Sequence, residues 1–321
     1  MEKFQIGNVL NNRYKIIGTY KVESGSILYK VEDIRFIGSN WLMYQIDISE
    51  YINSNIYINN LFSTLSFLSK IVYDKIGKIA DFFIEKGYLI VVCEEINGTL
   101  LNELIHSSSI NITKAVKLGL QLLEIVKFLY DKNIINFVDI NPENIVIDRQ
   151  GVVKILCFAV SKIPSIITEK GLDENKFIGT LGYIPPEMID DDKVNIGQHT
   201  YIYIISSVIY EYITKLSPYS REDPFFFPPA SSISPIIPNQ ISSLLEKCLS
   251  YNYNNRIKTF KEFEKKLLAI LKSETEVEEP SNLNIFTSII KNRAFMIIFL
   301  IIFVQFIIIL ILLMYYFFIL L

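Results

Sequence analysis

The sequence predicts an α+β protein that ends in one apolar helix. Short segments rich in β-branched and aromatic residues dominate residues 14–95, which is typical of strands. Longer segments with apolar residues at helical spacing dominate residues 113–271. The final stretch, 294–321, contains no charged residue. These three observations predict a strand-rich part, a helix-rich part and a membrane-spanning tail.

The strand-rich part contains one predicted helix and several predicted strands. The helix is expected over 50–72, where Leu61, Leu65 and Leu68 recur at helical spacing. Turn residues separate the strands from one another. The predicted strands are 14–20, 26–33, 40–48, 79–84 and 88–94.

The helix-rich part opens with an amphipathic helix over 113–130. Residues 200–214 are apolar on nearly every side, which predicts a buried helix. Residues 218–238 are rich in Pro, Phe and Ser and predict a loop, whereas 240–271 predict two further helices. The acidic cluster within 272–293 is typical of a solvated linker.

The tail from Ala294 to Leu321 is long enough to cross a lipid bilayer. A hydrocarbon core of about 30 Å needs roughly 20 helical residues, and the tail exceeds that length without a charge. Lys291 and Arg293 precede it, and positive residues stay on the cytoplasmic side. We therefore expect a single-pass protein of the cell membrane whose preceding residues are cytoplasmic.

Composition and charge argue against several other classes of protein. The net charge is −3 with no broad basic excess, so nucleic acid is not expected as a partner. The cysteines Cys93, Cys157 and Cys248 are isolated in the sequence, which argues against a disulfide framework and against a CxxC metal site. Isolated thiols fit a reducing compartment.

Three motifs follow one another in the helix-rich part. Residues 139–144 read DINPEN, 157–159 read CFA, and 179–187 read GTLGYIPPE. In order and spacing they resemble the catalytic loop (HRDLKPEN), the metal-binding turn (DFG) and the end of the activation segment (GTxGYxAPE) of bacterial serine/threonine protein kinases. The resemblance therefore implies a two-lobed protein kinase-like fold, with a small β-rich lobe and a larger α-helical lobe.

The resemblance also implies a domain organisation, with the kinase-like domain spanning 14–271. In chain order, the parts are an N-terminal segment (1–13), the small lobe (about 14–95), the large lobe (about 96–271), a cytoplasmic linker (272–293) and a transmembrane helix (294–321).

ATP and Mg²⁺ are the cofactors that the resemblance implies, but several residues that would bind them are replaced. The glycine-rich loop keeps only Gly18 and Gly25. Other residues do not cheaply adopt the open dihedrals of such a loop, and an ordinary hairpin turn explains these glycines equally well. Gln45 falls at the position of the phosphate-binding lysine, and the usual glutamate partner of that lysine falls near Leu61.

The catalytic loop is kept in part. Asp139 aligns with the proton-accepting aspartate and Asn144 with a magnesium-binding asparagine, so the resemblance implies catalytic roles for both. Short polar side chains also tie loops together, which is an equally good explanation for them. The loop lysine is replaced by Asn141, and Lys21 and Lys30 are the alternative sources of positive charge.

Cys157 replaces the aspartate that would carry Mg²⁺. A thiol suits zinc or copper(I) better than magnesium, and a buried cysteine also packs as a small apolar side chain. Loss of one preorganised electrostatic contact typically costs about 10²–10³ in rate. We therefore expect little or no phosphoryl transfer and poor binding of ATP with Mg²⁺.

The scaffold is kept better than the active site. In the family, the glutamate of the GTxGYxAPE segment pairs with an arginine near the end of the domain. The resemblance therefore predicts an ion pair between Glu187 and Arg256, buried or partly buried. The aspartate that usually braces the catalytic loop from the buried helix is replaced by Tyr201.

These observations favour a membrane-anchored pseudokinase that acts as a signalling scaffold or regulator. Its expected partners are the lipid bilayer, through residues 294–321, and another protein, either a kinase or a different signalling protein. A divergent active serine/threonine kinase that transfers the γ-phosphate of ATP to protein hydroxyls is the alternative, since Asp139 and Asn144 are retained. A decaying copy without a selected role is a third reading.

Deletion of residues 294–321 tests the predicted anchor. The shortened chain should move from the membrane fraction to the soluble fraction, because the deletion removes the apolar stretch that would hold it in the bilayer. Cell fractionation followed by immunoblotting measures this change. A shortened chain that stays with the membranes would show that the tail is not the sole anchor.

Overall fold

The computed structural model describes residues 1–23, 25–36, 38–173, 176–189, 195–278 and 293–319. The chain divides into two compact units, Met1–Leu271 and Lys272–Leu321. Most of the predicted linker, residues 279–292, lies outside the described residues, as do the last two residues of the predicted span.

The small lobe is built on a six-stranded antiparallel sheet. Its strands are β1 (Val9–Leu10), β2 (Tyr14–Glu23), β3 (Ser26–Asp33), β4 (Asn40–Asp47), β5 (Ile79–Glu85) and β6 (Tyr88–Glu94). Their order across the sheet is β1-β2-β3-β4-β6-β5. Helix α1 (Asn55–Ser69) begins after Ser54, whose Oγ accepts a hydrogen bond from the backbone N–H of Tyr57 (3.3 Å). The five predicted strands and the helix are thus confirmed, although the helix begins later than expected.

The first thirteen residues are part of the small lobe. β1 pairs with β2 and extends the sheet. The Phe4 ring is buried against Tyr29 and Met43 in a second apolar core on the face of the sheet opposite α1. The boundary expected at residue 14 is therefore too late. The alternation of apolar and polar residues that identified the strands does not identify a short segment that packs through one aromatic side chain.

The large lobe is mostly helical, as predicted. Its helices are α2 (Leu101–Ser107), α3 (Ile112–Asp131), α4 (Ile163–Ile166), α5 (Gln198–Thr214), α6 (Ala230–Ile233), α7 (Asn239–Cys248) and α8 (Phe260–Glu278). Its short strands are β7 (Thr99–Leu100), β8 (Ile145–Ile147), β9 (Val153–Ile155), β10 (Ile167–Thr168) and β11 (Gly171–Leu172). β7, β8 and β9 form one small sheet, and β10 and β11 form a hairpin.

Helix α5 is the buried centre of the large lobe. Every residue from Thr200 to Thr214 is buried, in agreement with its apolar sequence. Helix α3 packs directly on it at Gly119, where a Cβ atom would lie 2.5 Å from Cδ1 of Ile209. The glycine therefore allows the two helices to approach closely.

A buried ion pair joins the end of the activation segment to the last part of the lobe. Nη1 and Nη2 of Arg256 donate to the two carboxylate oxygens of Glu187, at 2.6 and 3.0 Å. Nε of Arg256 also donates to the carbonyl oxygen of Ser250, and the Thr200 hydroxyl donates to Glu187. The structure thus contains the predicted pair, and both side chains are buried.

The second unit contains helix α9 (Arg293–Ile319). Large apolar side chains such as Ile301 and Leu312 are exposed on this helix. Among the residues that the structure describes, no helix is both long and apolar enough to cross a membrane.

Substitution Arg256→Met tests the buried ion pair. It should lower the free energy of unfolding by about 3–5 kcal/mol, because it leaves the Glu187 carboxylate buried without its cation. Denaturant titration of the full chain measures this loss. Lys127→Met is the matched control, since its pair with Glu264 is partly exposed and should contribute only about 0–1 kcal/mol. Equal losses in the two variants would contradict this account.

Candidate functional site

The candidate site is the cleft between the two lobes. It encloses a cavity of about 560 Å³. The small lobe contributes residues of β2, β3 and β4 to its lining, and the large lobe contributes the catalytic-loop segment and the activation segment. No residue of 94–98, the segment that joins the lobes, is among the described residues that line it. The cavity therefore lies where phosphates and substrate would lie in the implied fold, and not along the connecting segment.

Asp139 is buried in this cleft and is bound on one side by a cation. Its Oδ2 atom accepts hydrogen bonds from Nζ of Lys162 (2.5 Å) and from the hydroxyl of Thr180 (2.7 Å). Lys162 also donates to the carbonyl oxygen of Gly179 at 3.0 Å. The activation segment is thus fastened to the proposed catalytic base by a charge-assisted contact.

Lys162 supplies the positive charge that the catalytic loop lacks. Asn141, which replaces the loop lysine, donates to the same Thr180 hydroxyl at 3.1 Å. Its amide and the Lys162 ammonium therefore meet at one hydroxyl, although they come from different segments. The positive charge beside Asp139 thus comes from the activation segment and not from the catalytic loop.

The side chain of Asn144 ties the catalytic loop together. Its Nδ2 atom donates to the backbone carbonyl oxygen of Asp139 at 3.1 Å. Tyr201, at the position of the bracing aspartate, donates from α5 to Oδ1 of Asn136 at 3.4 Å. Both contacts are structural, so they support the interpretation that these polar side chains hold the loop in shape.

Cys157 forms a disulfide with Cys93, which corrects the expectation of isolated thiols. Their Cα atoms are 6.5 Å apart, although the residues are 64 positions apart in the sequence. Cys93 lies in β6 of the small lobe, and Cys157 follows β9 in the large lobe. Sequence spacing missed the pair because only the folded cleft brings the two strand ends together.

Gln45 does not lie in the cleft. Its side chain is buried on the opposite face of the sheet, where Oε1 accepts from Tyr29 and Nε2 donates to the carbonyl oxygen of Glu2. Its neighbour Tyr44 lines the cavity instead, and burial raises the pKa of the Tyr44 phenol. A shift of one residue in register moves every side chain of a strand to the other face. The assignment of Gln45 to the phosphate-binding position was therefore wrong, and a tyrosine faces the cleft there.

The space for the lysine–glutamate pair of active kinases is apolar in this protein. Leu61 on α1 is fully buried, and it belongs to the same core as Tyr44, Cys93 and Phe158. An apolar core cannot solvate a charge. The absence of both the lysine and its glutamate therefore agrees with the packing at this place.

The loop between β2 and β3 forms a plain hairpin. Gly18 lies in β2, and Gly25 occupies the turn with a φ of +79° that favours glycine. Neither glycine lines the cavity, which instead receives the neighbouring residues from Tyr20 to Glu23. The hairpin interpretation of these glycines agrees with the structure.

Lys21 reaches across the cleft from this hairpin. Its ammonium pairs with Glu23 (2.5 Å) and with Glu143 of the catalytic-loop segment. Burial lowers the pKa of Lys21, but the hydrogen bonds to the two carboxylates outweigh burial and raise it overall. Lys30 pairs with Glu95 at 2.6 Å and does not line the cavity. Only the first of the two alternative cations therefore lies in the cleft, and it is neutralised there.

Cys157 does not fit Mg²⁺ at the position of the metal-binding aspartate. Mg²⁺ takes oxygen ligands in near-octahedral geometry, whereas Cys157 offers a sulfur that is already bonded. Asn144 uses its amide nitrogen to hold the loop backbone, which leaves Oδ1 as the atom that would bind a metal ion. Within the described parts of the chain, no three or more His, Cys, Asp or Glu side chains are grouped so that they could hold a metal ion.

Comparison with known proteins identifies the family. The family model for the protein kinase domain matches residues 47–268. The chain therefore belongs to the protein kinase family.

Similar sequences come from bacterial serine/threonine kinases. A probable serine/threonine-protein kinase of Clostridium perfringens is 22% identical over 267 residues, which cover 80% of this chain and 38% of the relative. The kinase PrkC of Bacillus subtilis is 23% identical over 269 residues, which cover 81% of this chain and 40% of the relative. The chain thus spans about two fifths of the length of these relatives.

Solved structures show the same fold. The PknI kinase domain of Mycobacterium tuberculosis superposes with a TM-score of 0.61 at 12% identity, covering 84% of this chain and 99% of that domain. Rad53 1–466 in complex with AMP-PNP gives a TM-score of 0.60 at 17% identity, covering 79% of this chain and 64% of that solved chain. At such low identities, the likeness establishes the two-lobed kinase fold alone.

Sequence reasoning missed two residues of the cleft, Tyr44 and Lys162, and it missed Cys93 as the partner of Cys157. Strand β4 is buried on both faces, so the alternation that would have shown Tyr44 facing the cleft is absent. Lys162 follows the CFA turn by three residues, and the loss of the loop lysine at Asn141 was the one signal for a substitute nearby.

Substitution Lys162→Met tests the contact with Asp139. It should lower the free energy of unfolding by about 1–3 kcal/mol, because a buried carboxylate loses its charged donor. In the double variant with Asp139→Asn the loss should be smaller than in Lys162→Met alone, since no charge is left unpaired. Denaturant titration measures both, with the exposed Lys117→Met as control. Losses that simply add would show that the two side chains do not interact.

Proposed function

We propose that this protein is a membrane-anchored pseudokinase, a kinase-like protein that binds other signalling proteins and does not transfer phosphate. The observation that carries the proposal is Cys157, which lines the cleft where the family has its metal-binding aspartate. A thiol is a poor ligand for Mg²⁺ whether or not it is bonded to Cys93, so the cleft lacks an oxygen ligand that phosphoryl transfer uses.

The electrostatics of the cleft support the same conclusion. Phosphoryl transfer depends on cations that neutralise charge at the transferring group. Lys21 is neutralised by two carboxylates, and Lys162 is bound to Asp139. Tyr44 brings no charge to the former lysine position. The cleft therefore offers no cation without a carboxylate partner among these groups, and the proposed base already accepts two hydrogen bonds.

The preserved scaffold favours a role in protein binding over simple loss of function. The buried pair of Glu187 and Arg256 keeps the end of the activation segment in place. A rigid segment of this kind gives a partner a fixed surface to recognise. We propose that the partner is another kinase or a signalling protein, and that binding regulates it.

We also propose that residues 294–321 anchor the protein in the cell membrane with the kinase-like domain in the cytoplasm. The charge-free length of the tail supports an anchor. Lys291 and Arg293 at its start support the cytoplasmic orientation. The lipid bilayer is then a second partner.

A divergent active kinase is the second candidate function. Lys162 favours it, because its ammonium lies 2.5 Å from Asp139 and restores a positive charge beside the proposed base. A kinase of this kind would have to bind its metal ion through groups other than Cys157.

A phosphoryl-transfer assay separates the two candidates. The full chain in detergent, given labelled ATP with Mg²⁺ or Mn²⁺ and a mixed protein substrate, should incorporate no more label than a protein-free blank. Asp139→Asn should give the same background, because the cleft lacks the cations that the reaction needs. Metal-dependent incorporation that disappears in Asp139→Asn would contradict the pseudokinase and support the active kinase.

A further inference from the structure

The disulfide between Cys93 and Cys157 lies at the inner end of the cleft and joins the two lobes. Cys93 is near the end of β6 in the small lobe, and Cys157 begins the activation segment in the large lobe. The bond therefore crosses the boundary along which the lobes of this fold would separate. At the outer end, the ion pair of Lys21 and Glu143 joins the hairpin to the catalytic-loop segment.

The two connections respond to different conditions. An ion pair between partly exposed groups weakens as salt screens the charges, and Lys21 and Glu143 keep 29% and 46% of their side-chain surface exposed. A disulfide is unaffected by salt and is opened only by thiol exchange. The inner connection is therefore the one that thiol chemistry, and not salt, can open.

Only the Cys157 side of the disulfide faces the cleft. Cys157 lines the cavity but is only 4% exposed, and Cys93 is fully buried. A thiolate that enters the cleft would therefore attack the sulfur of Cys157, with Cys93 as the leaving group.

We propose that Cys93 and Cys157 form a reversible redox lock, closed as a disulfide and opened by a dithiol reductant, which controls access to the cleft. This inference rests on the proposed function, because it treats the cleft as a regulated binding surface. In the cytoplasm that the anchoring implies, thiols are kept reduced, so an oxidant closes the lock.

The exchange balances in atoms and electrons. A thiolate of the dithiol attacks Sγ of Cys157, which forms a mixed disulfide and releases Cys93 as a thiolate that takes up a proton. The second thiol of the reductant then attacks the reductant sulfur of the mixed disulfide and releases Cys157. The dithiol loses two electrons and two protons and becomes a disulfide, and the two cysteines gain them. Exchange with a small-molecule disulfide runs the reaction in reverse.

Cys248 provides an internal control. It is a free cysteine that is fully buried in the large lobe. Burial raises the pKa of its thiol to about 12, so it is a poor nucleophile at neutral pH. Cys248→Ser should therefore leave the redox behaviour unchanged.

The test compares the full chain in detergent before and after treatment with dithiothreitol, without denaturant. After removal of the reductant, the protein is unfolded in iodoacetamide and its labelled cysteines are identified by mass spectrometry. We expect label on Cys248 alone in the protein oxidised with glutathione disulfide, and on all three cysteines after reduction. Reoxidation should restore the first pattern.

Amide hydrogen exchange of the same samples measures access to the cleft. Exchange at residues 20–23 and 139–144 should be about tenfold faster or more after reduction, because local opening no longer breaks a covalent bond. Cys93→Ser and Cys157→Ser should each exchange at the rate of the reduced protein, and the reductant should not change that rate. The wild-type comparison stands even if a variant fails to fold.

Three results would overturn the lock. These are label on all three cysteines after oxidation, a disulfide that resists the reductant in the folded protein, or exchange in the cleft that reduction leaves unchanged. None of these readouts depends on nucleotide. ATP turnover in both redox states would instead refute the pseudokinase and leave the lock standing.

Discussion

The buried ion pair of Glu187 and Arg256 is the interaction on which the rest of the large lobe depends. Two charges have been removed from water, and the structure compensates them with a bidentate contact and with hydrogen bonds from Arg256 to Ser250 and Tyr251. The Arg256 guanidinium also lies over the ring of Tyr203 in α5, 4.6 Å from its centre. Because the pair fixes the end of the activation segment, Thr180 lies where it can contact Asp139.

The cleft keeps the kinase scaffold, although several residues that the family uses for phosphoryl transfer are replaced. An apolar core occupies the former place of the lysine–glutamate pair, and a disulfide occupies the former metal position. The remaining cations are each bound to carboxylates, as Lys162 is to Asp139. These contacts stabilise the closed cleft and at the same time remove the free charges that phosphoryl transfer uses.

The sequence allowed most of the fold to be predicted, because order and spacing of motifs survive the replacement of single residues. DINPEN and GTLGYIPPE located the catalytic-loop segment and the ion pair of Glu187 with Arg256. Side-chain direction was less predictable. Strand β4 is buried on both faces, so hydropathy could not show that Tyr44 and not Gln45 faces the cleft. The contact of Cys93 with Cys157 could also not be predicted from the sequence, because it depends on how the lobes close.

Metal-dependent binding of ATP distinguishes a cleft that has lost phosphoryl-transfer chemistry from one that retains it. Thermal unfolding of the full chain in detergent would be followed with and without ATP, each with and without Mg²⁺ or Mn²⁺. A ligand that binds only the folded state stabilises it by about 2.7 kcal/mol at 100 times its Kd. We expect no rise in Tm that requires the metal ion. A metal-dependent rise would show that other groups of the cleft hold a cation, and it would contradict the claim that the site has lost its phosphoryl-transfer chemistry.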